Sequence, residues 1–208
     1  MNVAIRNAGD AISLAQTAEG GLNEITNMLQ RMRELAVQSA NATNSGADRT
    51  NLHAEYTALN TEITRQVGAT KFNGVAIIAG AVANQFQVGA NAADTITVTT
   101  ADMSAAAAGG TIATLAGATA AIGAVDTALD LVTTNRATYG AVQNRFQSVV
   151  NNLQVAAENQ ATARSRILDA DFAMETANLT RFQILQLAGT AMVAQANAVP
   201  QSVLSLLQ

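Results

Sequence analysis

Residues 2–39 read NVAIRNAGDAISLAQTAEGGLNEITNMLQRMRELAVQS, and this stretch decides the fold. Apolar or small residues recur at Ile5, Ala8, Ile12, Ala15, Leu22, Ile25, Leu29, Met32, Ala36 and Ser39, and Glu19 fills the one polar place in the series. The steps are 3, 4, 3, 4, 3, 3, 4, 3, 4 and 3. That is the spacing of a coiled-coil seam with a single slip, where two steps of three meet at Leu22. No proline interrupts it, so one helix of about 60 Å is expected at 1.5 Å per residue. It should end in Asn41–Asp48, NATNSGAD, whose Asn, Gly and Ser favour turns and caps.

Outward from this helix the same period returns twice. Leu52, Tyr56, Leu59, Ile63 and Val67 predict a second helix that starts near Asp48, closes at Gly68 and folds back on the first. Ile122, Val125, Leu129, Val132, Arg136, Tyr139, Val142, Phe146, Val149, Leu153, Ala156, Gln160, Ala163 and Ile167 form a second long seam, with its own slip at Tyr139–Val142. Two long helices with matching seams should pair along most of their length. Between them, Phe72-Asn73-Gly74 reads as a turn. Gln85–Val88 and Thr95–Thr99 alternate polar and apolar residues around GANAAD, as a β-hairpin does. Ala101–Gly117 is Ala, Gly and Thr without a period, and is expected to be a variable, loosely ordered connector. A final helix carrying Met174, Leu179, Phe182, Leu185, Ala188 and Met192 should stop at Pro200.

Composition explains why the seams matter. Apolar residues make up 49% of 208, but 45 residues are alanine, aromatics are 3% and tryptophan is absent. Small side chains cannot fill a thick globule, but they let helices approach closely. Charged residues are 12%, about half the usual share for a soluble domain. Much of that scarcity is local, since no charge follows Arg181 through the last 27 residues. A helix this neutral needs a partner to cover it.

Several chemistries are excluded. With no cysteine there is no disulfide, thiolate metal site or cysteine nucleophile. His53 is the only histidine, so a multi-histidine metal site cannot form, and its place on the polar side of the second helix reads as a solvated histidine. Net charge is −4 and Lys71 the only lysine, the opposite of a nucleic-acid footprint. Residues 105–125 are uncharged and long enough to cross a bilayer, but only Ile112, Leu115, Ile122 and Val125 are strongly apolar, so no membrane insertion is expected. Asp169, Asp171 and Glu175 form the densest acidic cluster, read as a charged helix junction rather than a cation site. The glycines match neither a Walker loop nor a dinucleotide fingerprint. No catalytic residue, metal or cofactor is assigned. Arg31, Arg33 and Glu34, with Arg164 and Arg166, are salt-bridged solvent faces or register markers between subunits.

At this point the sequence resembles a known family. Leu29–Asn41, LQRMRELAVQSAN, is similar to a signature run of bacterial flagellins. It is joined by AISLAQTAEG at Ala11–Gly20, by KFNG at Lys71–Gly74, by GAVQNRF at Gly140–Phe146 and by ARSRI at Ala163–Ile167. The ending resembles the family as well, through Ala194–Asn197, Val199–Gln201 and Val203–Leu207. These blocks span both ends of the chain and leave Val75–Ala120 without a family signature.

The resemblance implies a mainly α fold, an elongated rod of long antiparallel coiled-coil-like helices with a small β-hairpin region. Four segments are expected: rod helices in 1–74, hairpin and connector in 75–117, a long helix in 118–168, and a filament-core segment in 169–208, disordered alone. It implies a filament subunit for motility, not an enzyme, that is exported through the flagellar type III apparatus and lies outside the cell. The implied partners are other flagellin subunits, an export chaperone, the cap and junction proteins, and Toll-like receptor 5. Receptor contacts carry over to Arg31, Leu35 and Glu55. Chaperone or core contacts carry over to Leu179, Phe182, Leu185, Met192, Val203, Leu204, Leu206 and Leu207. Family members begin with a further N-terminal core helix, so the chain is expected to start inside the rod and not to polymerise alone. It also lacks large outer domains. The alternatives are a hook-filament junction protein or a flagellin-like cell-surface binding protein, the latter without a visible aromatic platform for sugars.

Overall fold

A computed structural model describes residues 1–169 and 171–205, with residues 198–205 described by their backbone alone. Two compact units are present, Met1–Glu158 and Asn159–Gln208.

In the first unit, helix α1 runs Asn2–Ser39. It buries Ala8, Ala11, Ala15, Ala18, Leu22, Ile25, Leu29, Met32 and Ala36, and beside them Leu14, Gly21 and Leu35. The buried band is wider than a two-position seam because α1 is covered from two sides. Helix α2, Gly46–Ala69, folds back along it. Its cap is Ser45, not Asp48 as the sequence suggested. The Ser45 hydroxyl accepts from the Asp48 amide, and the Asp48 carboxylate accepts from the Ser45 amide, a reciprocal box that places Asp48 inside the first turn. Tyr56, Ile63 and Val67 are its buried face.

Strands β1 (Lys71–Phe72) and β2 (Val75–Ala76) form a minimal antiparallel hairpin. Its two turn residues, Asn73 and Gly74, have φ of 49° and 82°, the left-handed pair that a two-residue hairpin requires and that Asn-Gly tolerates. Strands β3 (Ala83–Gln87) and β4 (Thr95–Thr99) form the expected larger hairpin, with Phe86 opposite Ile96. Ile96 and Val98 are buried with Ala8, Ala11, Phe146 and Val150, and Phe86 meets Phe146 edge-on at 5.7 Å. Asn7 Nδ2 donates to the Gln87 carbonyl at 2.8 Å and ties this hairpin to α1.

Helix α3 runs Leu115–Leu168 and starts where the Thr114 hydroxyl accepts from the Gly117 amide. Its buried row is Ala118, Ala121, Val125, Ala128, Val132, Tyr139, Phe146 and Val150. No residue of α3 beyond Val150 is buried.

The connector is more ordered than its composition suggests. A short 3-10 turn at Ser104–Ala106 lies in it, and Ala101, Met103, Ala106, Ala108 and Ile112 are buried. Tyr56 Oη donates to the Ala108 carbonyl at 3.0 Å, and Ser39 Oγ to the Ile112 carbonyl. Tyr139 Oη donates to the Ile77 carbonyl at 3.0 Å and accepts from the Ala101 amide at 3.1 Å. Methyl groups have no period to read, but these side-chain bonds hold the backbone in place.

In the second unit, α4 runs Phe172–Ser205. Asp171 Oδ1 accepts from the Ala173 and Met174 amides and caps it. The helix continues through Pro200, where the sequence predicted a stop. An internal proline removes one donor and crowds one carbonyl, a local cost that leaves the turns on either side intact.

Candidate functional site

The most distinctive surface of the first unit lies on α1 and α2. Arg31 stands eight residues before the end of α1 and Glu55 nine after the start of α2, so the antiparallel hairpin brings them opposite each other. Arg31 Nε donates to Glu55 Oε1 at 2.8 Å, and Nη1 donates to Glu34 Oε2 at 2.9 Å. The hydrogen bond to Glu55, then that to Glu34, holds the Arg31 guanidinium above its ordinary pKa. Both partners of the Arg31–Glu55 pair are 48% exposed, so the pair presents charge more than it stabilises.

Beside it, Arg33 Nε donates to Asp126 Oδ1 on α3 at 2.7 Å. Gln30, Arg33, Glu34, Val37 and Gln38 line a shallow groove along α1. The arginine cluster on α1 is thus engaged within one chain. Leu35 is placed differently: its side chain is 0% exposed, packed in the main core with Met32, Ala36 and Tyr56. It supports the Arg31 surface from beneath and does not line it. Sequence spacing missed this because a helix covered on two sides buries positions that a single seam leaves out.

His53 is not the solvated residue that its position on α2 suggested. Its Nδ1 accepts from the Ile112 amide at 3.5 Å, and its ring stacks on Tyr56 with centroids 6.4 Å apart. Burial pushes the Tyr56 hydroxyl pKa up. Asp171, the centre of the acidic cluster, is occupied as the α4 cap. Among the described residues no group of three side chains could hold a metal ion.

The second distinctive surface is α4. Leu179, Phe182, Leu185 and Met192 are 57%, 68%, 59% and 71% exposed, and Phe172, Ile184 and Leu187 are similarly open. The side chains of Val203 and Leu204, and all of Leu206 and Leu207, lie outside the described residues.

The N-terminal helical region of bacterial flagellin matches residues 1–83, and its C-terminal helical region matches residues 122–207. A flagellin of Halalkalibacterium halodurans is 45% identical over all of this chain and 79% of its own length. The chain belongs to the bacterial flagellin family. The match to residues 1–83 takes in α1 and α2, that to residues 122–207 takes in most of α3 and α4, and residues 84–121 lie between them. A flagellin crystal structure from Bacillus cereus is similar at a TM-score of 0.66 and 34% identity, over 76% of this chain and 94% of that one.

A candidate hook-associated flagellar protein from Vibrio parahaemolyticus reaches the same TM-score, 0.66, at 16% identity over 81% and 92% of the two chains. At that identity the likeness is one of fold alone. Flagellins are structural proteins, not enzymes, and this flagellin is a subunit of the flagellar filament.

Proposed function

We propose that this flagellin enters the filament through α4, whose exposed apolar side chains become buried against neighbouring flagellin subunits in the assembled fibre. One observation carries the reading: the large apolar side chains of α4 are exposed together on a helix that buries none of its described side chains. Such a surface is stable only when covered. Neighbouring flagellin subunits cover it in the filament, giving a fibre for motility that meets the cap and junction proteins at its ends. Before assembly the export chaperone covers the same side chains while the chain passes unfolded through the flagellar type III apparatus to the cell exterior.

The test is co-sedimentation of soluble protein with short filament seeds. Incorporation is expected for the wild type and is lost on Phe182→Ser with Leu185→Ser. Equal incorporation of the two proteins overturns the reading.

A second role is supported by the α1–α2 surface. The Arg31–Glu55 pair forms a fixed, half-exposed charge pattern for Toll-like receptor 5, with Leu35 holding the helix beneath it. In a receptor reporter-cell assay Arg31→Ala should weaken the response. An unchanged response removes Arg31 from the site.

A further inference from the structure

Peroxides take two electrons from thiols and thioethers more readily than from other side chains, and this chain has no cysteine and six methionines. The fold sorts those six. Met32 and Met103 are 0% exposed in the main core, and Met28 is half-buried against it. Asn135 Nδ2 also lies 3.3 Å from Met103 Sδ and engages that sulfur as an acceptor. Met1, just before α1, is 44% exposed. Met174 and Met192 are the most open, at 65% and 71%, and both stand on α4.

Their spacing puts both on one face of that helix. Eighteen residues separate them, about five turns, so they lie nearly in line and about 27 Å apart along the axis. Leu185 comes eleven residues after the first and seven before the second, within about 20° of the same line. Between Met174 and Leu185 the line carries Asn178 and Arg181, which approach each other at 3.5 Å. From Leu185 to Met192 it carries Ala188 and no charge. One neighbour laid along this face covers both sulfurs.

Oxidation changes the chemistry of that line. The thioether sulfur attacks one oxygen of a peroxide, an S–O bond forms as the O–O bond breaks, and the second oxygen takes the proton and leaves as water. Sulfur loses two electrons and the peroxide gains them. The product is a methionine sulfoxide, uncharged but strongly polar. On an exposed helix water solvates the new oxygen. Under an apolar neighbour that solvation is lost with no donor to replace it.

We propose that Met174 and Met192 are a modification site, a pair of thioethers whose oxidation by a peroxide withholds the free subunit from the filament. The proposal rests on α4 being the surface that neighbouring subunits cover. In the thioether form the helix is competent for entry; in the sulfoxide form the subunit stays soluble. The block is reversible, because sulfoxide reductases, one for each sulfur epimer, take the oxygen off as water with two electrons from a dithiol.

The test treats the soluble full chain with hydrogen peroxide, then removes the oxidant with catalase. Trypsin cuts after Arg166 and Arg181, so Met174 and Met192 fall in separate peptides, 167–181 and 182–208. Each peptide should gain one oxygen before Met32 and Met103 do; equal rates at all four sulfurs overturn the proposal. Incorporation onto filament seeds should fall about tenfold or more and return once both sulfoxides are reduced. Met174→Leu with Met192→Leu keeps the volume and apolar character of the line, so it should incorporate like the wild type with or without peroxide. Loss of incorporation by that variant on oxidation overturns the assignment to α4. If the untreated wild type enters the filament and the doubly oxidised protein enters equally well, the oxidation site fails while the α4 reading stands. If the untreated wild type does not enter, both fail.

Discussion

Two adjacent glycines of α1 separate backbone propensity from packing. A Cβ at Gly20 would meet nothing within 4 Å, whereas one at Gly21 would stand 2.7 Å from Thr70 Oγ1 and 2.8 Å from its Cγ2. Alanine in place of an interior helical glycine gains about 0.5–1 kcal/mol, so Gly20→Ala should raise stability by about that amount in urea unfolding. Gly21→Ala makes the same backbone gain but forces α1 away from the end of α2. Thr70 is β-branched and its hydroxyl is bound to the Gln66 carbonyl, so it cannot turn aside freely. Overpacking of this kind costs about 1–3 kcal/mol, and the net effect should be a loss. Adding Thr70→Ala should recover part of it. The two tyrosines give a second residue-scale outcome. Burial raises the pKa of both Tyr56 and Tyr139, and the Ala101 amide only partly offsets this at Tyr139. Because the fold favours the neutral phenol, this stabilisation is complete below the ordinary tyrosine value of 10.0 and is lost as pH rises through the higher folded values. Phenolate absorbance should therefore rise together with the loss of helix signal above that pH, and ionisation of both rings at their ordinary pKa in an intact fold would contradict it.

At the scale of elements, the start of α2 rests on the box between Ser45 and Asp48. Ser45→Ala should cost about 1 kcal/mol, read from the shift of the urea midpoint. The bonds from the Ser45 hydroxyl and amide hold the Asp48 carboxyl below the carboxylate range. That stabilisation is present above the ordinary value of 3.8 and disappears as pH falls through the lower folded value, so Ser45→Ala should also flatten the acid limb of the stability profile. The same corner shows what a sequence can and cannot convey. The period of α1 and α3 was legible because one apolar band ran without proline through each, and the β3–β4 hairpin was legible from its alternation. The start of α2 was displaced because Ser45 and Asp48 are both good caps, and only geometry chooses between them. The order in Ala101–Gly117 was hidden because it comes from single bonds, Tyr56 to Ala108 and Ser39 to Ile112, made by residues far away in sequence. Of the three residues that the resemblance assigned to receptor contact, Arg31 and Glu55 are paired at the surface, but Leu35 lies inside because α1 is covered by both α2 and α3.

For the whole molecule, the two units differ in what holds them. The unit Met1–Glu158 contains every buried side chain among the described residues. Helix α4 carries Phe182, Leu185 and Leu187 in the open and keeps its backbone bonds without a covering layer. Helices of this kind draw most of their stability from packing, so an uncovered one opens readily. Amide hydrogen exchange should therefore be fast along residues 172–197 of the free subunit and slow along the buried row of α1. On incorporation into filaments the α4 amides should become protected, while those of α1 change little. The same division predicts the response to mutation. Phe182→Ser with Leu185→Ser removes surface that contributes nothing to the folded core, so the melting of the first unit should stay within about 0.5 kcal/mol of the wild type while assembly is lost. A core change such as Leu29→Ala should do the reverse in its first effect, since Leu29 is 0% exposed and its loss costs about 2–5 kcal/mol. If the α4 variant instead melted with the same loss as Leu29→Ala, the helix would have to be part of the folded core in solution, and its role as a surface reserved for neighbouring subunits would fail.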